Sequence, residues 1–292
     1  PTTVSAPAKT LGEVLDRIQP LLSQDFDGAV PLGIHLEGPF ISVQKRGTHR
    51  ADNVLAPDSK LMADWISRAH GALKLLTMAP ELKGANEVAR LARASGIIVA
   101  MGHSDANFVE ALAAADGGTH YAVHTFNAMR PFSHRDSGIV GAVLSDDRIF
   151  AEIIADGVHV SPEVVRIFAR AKGHERILLV TDSISATGMP DGRFVLGTDT
   201  VQVSGGICRD GEGRLAGSTL TQDVALRNFI SFSGMRLDDA VFGLTLNPAR
   251  ALKLDGRGCI EPGAHADLAM LDEDLHVMKT FAGGRLVFER HS

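Results

Sequence analysis

The sequence predicts an α/β fold, a (β/α)₈ TIM-like barrel with part of a small β-sandwich domain attached. Three observations carry that prediction. Short, near-continuous apolar runs alternate with amphipathic segments at helical spacing, the pattern of a parallel sheet covered on both faces. The runs end in ionisable residues, Glu37, Glu81, His103, His124, His159 and Asp182, and the C-terminal strand ends of a barrel share the face where active sites lie. No G-x-G-x-x-G or P-loop accompanies them, so a doubly wound open sheet, with its own crevice at strand ends, fits less well.

The first 30 residues hold a helix over TLGEVLDRIQPLL (10–22), interrupted near its end by Pro20. Residues 1–5 can supply the tail of one strand. Six apolar runs follow, at 31–37, 72–81, 96–105, 119–129, 148–160 and 176–183. Between them DSKLMADWISRAHG (58–71), GANEVARLARASG (84–96), DANFVEALAAADGG (105–118) and SPEVVRIFARAKG (161–173) read as helices, several opening on Asp or Ser and closing on Gly. A complete barrel needs eight strands, so the opening strand or strands are expected to be missing from a chain that begins at Pro1. After Asp182 the composition shifts to glycine and β-formers, and a β-hairpin insertion is expected over about 188–216. Helices at 221–234, 237–243 and 247–254 follow. The expected division is a barrel over 1–255 and the C-terminal part of a small β-domain over 256–292.

At 292 residues the chain can bury a large core, and 45% hydrophobic with 22% charged residues is ordinary for a soluble globular protein. A net charge of −6 without a lysine or arginine block offers nucleic acid no electrostatic footprint. No apolar run approaches the ~20 residues that span a bilayer, and no signal peptide opens the chain. Cys208 and Cys259 have neither metal-site spacing nor the density of a disulfide framework, which points to a reducing, cytoplasmic setting.

The chain is organised around PLGIHLEGPFISVQKRGTHR, residues 31–50. His35 and Glu37 are two apart, so on a strand they share a face. A carboxylate at the end of a buried strand needs a cation or hydrogen-bond donors. With histidines at the other strand ends, the reading is a metal-dependent hydrolase in which Glu37 is one ligand.

Six motifs in order, HLEGPF with KRGTH, MGHSDA, HTFNAM with HRDSG, DGVH, LVTDS and LAGSTLT, are joined by the C-terminal GCIEPGAHADL. Together they resemble the amidohydrolase superfamily, and within it the N-acetylglucosamine-6-phosphate deacetylase family, over residues 30–290. The resemblance implies a metallo-dependent hydrolase barrel that removes the N-acetyl group of a phosphorylated amino sugar. It implies that Glu37, His103 and His124 bind a divalent metal, most often zinc, as one or two ions, with iron, manganese and cobalt as alternatives. Asp182 matches the family's catalytic aspartate, base towards water and then acid towards the departing nitrogen, and His49 matches a histidine that polarises the amide carbonyl. Thr48, Asn127, Ala128, Arg135, Asp156, Gly157, Val158, His159, Leu215, Ala216 and Gly217 match substrate-binding positions. Arg135 is the phosphate ligand among them, and in the family it reaches the neighbouring subunit's substrate, so a homodimer is expected. The H-x-H pair common on the superfamily's first strand is absent from this sequence, which leaves one-metal and two-metal sites both open.

Each assignment has a structural alternative. Glu37 can pair with Lys45 or Arg46, and His103 and His124 can be interior histidines satisfied by hydrogen bonds. Asp182 can cap a helix, Arg135 can face solvent or bridge to Asp136, and Asp156 can cap the turn at Gly157. His35 and Glu81 read as packing or structural residues, and His291 as a surface residue. Two other functions compete: a relative acting on a cyclic amide or N-acylated amino acid, and an inactive, truncated metal-binding form. Dinuclear cyclic amidases usually carry a bridging lysine where this chain has Glu37, which counts against the first.

Overall fold

A computed structural model describes residues 1–22, 24, 26 and 28–290; His291 lies outside the described residues. Seven parallel strands form the main sheet: β1 (Thr2–Thr3), β2 (Ile34–Glu37), β3 (Leu73–Met78), β4 (Ile98–Met101), β5 (Tyr121–Ala122), β6 (Phe150–Ile153) and β7 (Ile177–Leu179). They pair in sequence order, the singly wound order of a barrel, whereas a doubly wound sheet reverses direction partway. The sheet curls far enough that the ends of β2, β4, β5 and β7 open on one cavity. Among the described residues no helix is long and apolar enough to cross a membrane.

Alternation along the strands builds two layers of core. Ile34, Leu36, Leu76 and Met78 point outward and pack with Leu11, Leu15, Trp65 and Val88 from α1 (Ala8–Leu22), α2 (Ser59–Ala69) and α3 (Ala85–Ala94). Met101, Ile153 and Leu179 pack outward against α4 (Phe108–Asp116), α5 (Gly138–Ser145), α6 (Pro162–Lys172) and α7 (Gln222–Ser233). The inner face carries Leu75, Ala100, Tyr121, Val123 and Leu178, capped by Ala251 of α9 (Leu246–Ala251), which follows the short α8 (Leu237–Ala240). His35, Glu37, Thr77 and Glu152 occupy the same inward register. Helix starts follow capping chemistry: Asp58 accepts the Lys60 and Leu61 N–H groups, and Asn107 with Glu110 forms a capping box.

Two expectations from the sequence are corrected, and one helix was not foreseen. The strands stop short of the predicted runs, above all β5, which is two residues long where 119–129 is apolar. Beyond each strand the chain turns to present polar side chains, and turning ends the hydrogen-bond ladder. Helix α1 continues through Pro20 to Leu22, because a proline in the last turn forfeits only one bond. Helix α5, GIVGAVLS, has no apolar stripe to betray it: six of its eight residues are buried, so it is apolar all round.

Two smaller sheets complete the fold. Strands β8 (Gly192–Leu196), β9 (Asp199–Ser204) and β10 (Ile207–Arg209) form an antiparallel sheet over the stretch read as hairpins. Its apolar side, Val201, Val203 and Cys208, packs with Ala186 and Ala216. Strands β11 (Leu268–Leu271), β12 (Val277–Ala282) and β13 (Arg285–Glu289) form a second.

Candidate active site

Glu37 is the last residue of β2, and His103, His124 and Asp182 sit two or three residues beyond β4, β5 and β7. These last three adopt positive φ, 47°, 28° and 50°, in a region that costs a non-glycine residue about 1–2 kcal/mol. Each is held there by its surroundings. The His103 carbonyl accepts the Ser42 N–H at 2.8 Å. The His124 N–H donates to Glu152 Oε2 at 3.0 Å, and Glu152 Oε1 takes the Tyr121 hydroxyl at 2.6 Å. The Asp182 carbonyl accepts the Ser218 N–H at 2.8 Å, while the Ile184 N–H donates back to the Ser218 carbonyl at 3.1 Å.

The three expected ligands converge. Glu37 Oε1 lies 2.9 Å from His124 Nε2 and 3.3 Å from His103 Nε2, with all three residues buried. Their ligand atoms lie within 4.8 Å of one another. His103 Nδ1 is 3.0 Å from the Lys45 carbonyl, which can only accept, so that nitrogen carries a proton and Nε2 is the atom turned to Glu37. Burial opposes the Glu37 charge, but hydrogen bonds and charge from His103 and His124 outweigh it and hold the carboxyl well below the usual range. Burial also pushes His124 down, and the Glu37 bond and charge overcome it, raising the imidazole to about 9. One buried carboxylate and two imidazoles facing one point make a donor set suited to a divalent cation, which would displace the protons that the two Nε2 atoms otherwise share with Glu37.

His49 Nε2 stands 3.8 Å from Glu37 Oε2. Burial, followed by the charge of His103, depresses its pKa to about 4, so the ring is neutral at pH 7. Asp182 is raised by burial and then by the Glu37 charge. His159 Nδ1 is 2.6 Å from Asp156 Oδ2, and Asp156 Oδ1 accepts the Val158 and His159 N–H groups, both at 2.8 Å.

A cavity of about 280 Å³ brings together Glu37, Thr48, His49, His103, His124, Asn127, Ala128, His159, Asp182, Leu215 and Gly217. Five expected residues do not line it. Asp156 and Val158 face a neighbouring cavity of about 250 Å³, which shares His159 and Gly217 with the first. Gly157 lies against Phe232, Ala216 is fully buried, and Arg135 is exposed on its loop. Two structural alternatives are also resolved. Lys45 pairs with Asp105 at 3.4 Å instead of Glu37, and Asp136 pairs with Arg130 at 2.7 Å. Reading the sequence missed Ser5, Glu152 and Ser218, which brace His49, His124 and Asp182. Only Glu152 left a signal, a lone acid inside the apolar run RIFAEII.

Seven parallel strands wound in sequence order, with a carboxylate and two histidines at their C-terminal ends, are the arrangement of a metal-dependent hydrolase. The Amidohydrolase family matches residues 2–287, and the chain belongs to that metal-dependent family. Among individual relatives, the N-acetylglucosamine-6-phosphate deacetylase of Homo sapiens is 39% identical over 299 residues, covering 99% of this chain and 72% of the relative. The N-acetylgalactosamine-6-phosphate deacetylase of Escherichia coli O157:H7 is 38% identical over 287 residues, covering 98% and 76%. The crystal structure of N-acetylglucosamine-6-phosphate deacetylase from Thermotoga maritima superimposes with a TM-score of 0.92 at 37% identity, covering 99% of this chain and 78% of that one. A D267A mutant of the Mycobacterium smegmatis enzyme, in complex with N-acetyl-D-glucosamine-6-phosphate, gives 0.91 at 34% identity, covering 98% and 75%.

Proposed function

We infer that this chain is an N-acetylglucosamine-6-phosphate deacetylase, hydrolysing the acetamide of its substrate to glucosamine 6-phosphate and acetate. The observation that carries the reading is the convergence of Glu37, His103, His124 and Asp182 on one cavity, in a chain similar to such enzymes along nearly its whole length. The cyclic-amide and inactive readings find no comparable support.

A divalent metal held by Glu37, His103 and His124, zinc by the nature of the donors, supplies Lewis acidity and a water of lowered pKa when bound. Asp182 takes the proton of the attacking water and delivers it to the sugar nitrogen as the C–N bond breaks. His49 donates from Nε2 to the acetyl oxygen as charge gathers there. Thr48, Asn127, Ala128 and the Leu215-Ala216-Gly217 loop orient the sugar, and His159 is presented by the turn of Asp156, Gly157 and Val158. Arg135, exposed on its loop, suits the phosphate of a neighbouring subunit's substrate in a homodimer. A cytoplasmic setting suits a phosphorylated substrate and two free thiols.

The test is acetate release from N-acetylglucosamine 6-phosphate, from the unphosphorylated sugar and from the galacto epimer, which the E. coli relative brings into question. Turnover should be fastest on the phosphorylated gluco substrate, and Arg135→Ala should erase the advantage of the phosphate. Preference for a dihydropyrimidine or hydantoin would overturn the assignment.

A further inference from the structure

The His49 ring is gripped from behind by a residue to which the mechanism above gives no part. Ser5 follows β1 and is buried; its backbone N–H lies 3.0 Å from His49 Nδ1 and its hydroxyl 2.8 Å from the same nitrogen. The Ser5 carbonyl accepts Asn53 Nδ2–H at 3.1 Å, so this residue is tied to the His49 loop through both of its peptide groups. Gly38 leaves room for the arrangement, since a Cβ there would lie 2.4 Å from Ser5 Oγ.

A backbone N–H can only donate. His49 Nδ1 must therefore present its lone pair to Ser5, and the proton of the neutral ring then resides on Nε2. Nε2 is the nitrogen on the cavity side, 3.8 Å from Glu37 Oε2. We propose that Ser5 is a positioning residue that fixes His49 as the Nε2–H tautomer, making it an obligate hydrogen-bond donor into the cavity. The consequence for catalysis rests on the deacetylase reading: the opposite tautomer would aim a lone pair at an acetyl oxygen that is gaining negative charge, repelling what the site must stabilise. Arg46 engages the backbone carbonyls of Gly47 and His49 and leaves the ring alone, and Glu37 Oε2, 3.8 Å from Nε2, is beyond hydrogen-bond distance.

The experiment is NMR of the full chain with ring-¹⁵N-labelled histidine, in which two-bond nitrogen–proton correlations distinguish the tautomers and His49→Asn assigns the resonance. The expected pattern is a protonated Nε2 and an unprotonated Nδ1. In Ser5→Ala the backbone donor remains, so the pattern persists, with Nδ1 shifted downfield as it loses one of two donors. Its kcat falls about fivefold, the worth of one neutral hydrogen bond, while KM stays within about twofold. A protonated Nδ1 in the wild type overturns the proposal, as does Ser5→Ala with wild-type kcat and an unmoved Nδ1. The spectrum needs no substrate, so an Nε2–H ring in a protein that releases no acetate would retain the role of Ser5 and sink the deacetylase reading alone.

Discussion

Substituting Gly217 by alanine removes no chemical group from the site, yet it should be among the most damaging single-atom changes. Gly217 has φ +60°, and a Cβ would lie 2.6 Å from Ile184 Cγ2 and 2.9 Å from the Asp182 carbonyl oxygen. Left-handed backbone costs alanine about 1–2 kcal/mol. The contact with a backbone oxygen cannot be relieved by a rotamer, and overpacking of this kind adds about 1–3 kcal/mol. The sum, about 2–5 kcal/mol, is a large fraction of the ~5–15 kcal/mol that holds a domain together. Asp182 and Ile184 are both hydrogen-bonded to Ser218, the residue beside Gly217, so relieving the contact displaces the Asp182 turn. With Asp182 as the proposed base, its displacement by on the order of 1 Å should lower kcat about a hundredfold. Steady-state kinetics, metal content and urea unfolding of Gly217→Ala measure the three consequences: kcat down about a hundredfold, metal retained, and unfolding free energy reduced by about 2–5 kcal/mol. Wild-type kcat with wild-type stability would refute the link between this loop and Asp182.

Asp182→Asn should lower kcat by about 10²–10⁴, with bound metal and KM little changed, since only the proton carrier is lost; a kcat within tenfold of wild type removes Asp182 from the mechanism. Chelation should abolish turnover and added zinc restore it. Glu37→Gln should weaken metal binding at least about tenfold, as read by titration with a chromophoric chelator, and unchanged affinity would exclude Glu37 as a ligand. His35 is half-buried, its Nε2 2.7 Å from the Thr77 hydroxyl, and desolvation lowers its pKa to about 4. The unfolded chain, with histidine near 6.5, therefore binds more protons between these values, so this contribution falls as pH is lowered through the window. Urea titrations should show wild type losing stability relative to His35→Gln by up to about 1.4 kcal/mol per pH unit from 6.5 down to 4, and parallel curves would contradict the burial of a neutral ring.

What the sequence by itself determined is local and ordered along the chain. The alternation of apolar runs and amphipathic segments announced a singly wound parallel sheet, and the ionisable residue closing each run marked its functional end. Glu37, His103, His124 and Asp182 were legible as strand-end residues for that reason, together with Glu81 and His159, and the family resemblance of the motifs that hold them singled out these four. Tertiary structure alone decided how far the ladder runs, because His103, His124 and Asp182 leave it at positive φ under constraints that no propensity encodes. It alone decided that the residues meet: Glu37 and His124 are 87 positions apart, and Ser5 and His49 are 44 apart. It also decided which residues do the bracing, for Ser5 and Ser218 act largely through backbone N–H groups, and every non-proline residue has one. Periodicity is written in neighbours along the chain, whereas a site assembled across a curled sheet depends on curvature, register and burial, which are properties of the folded whole.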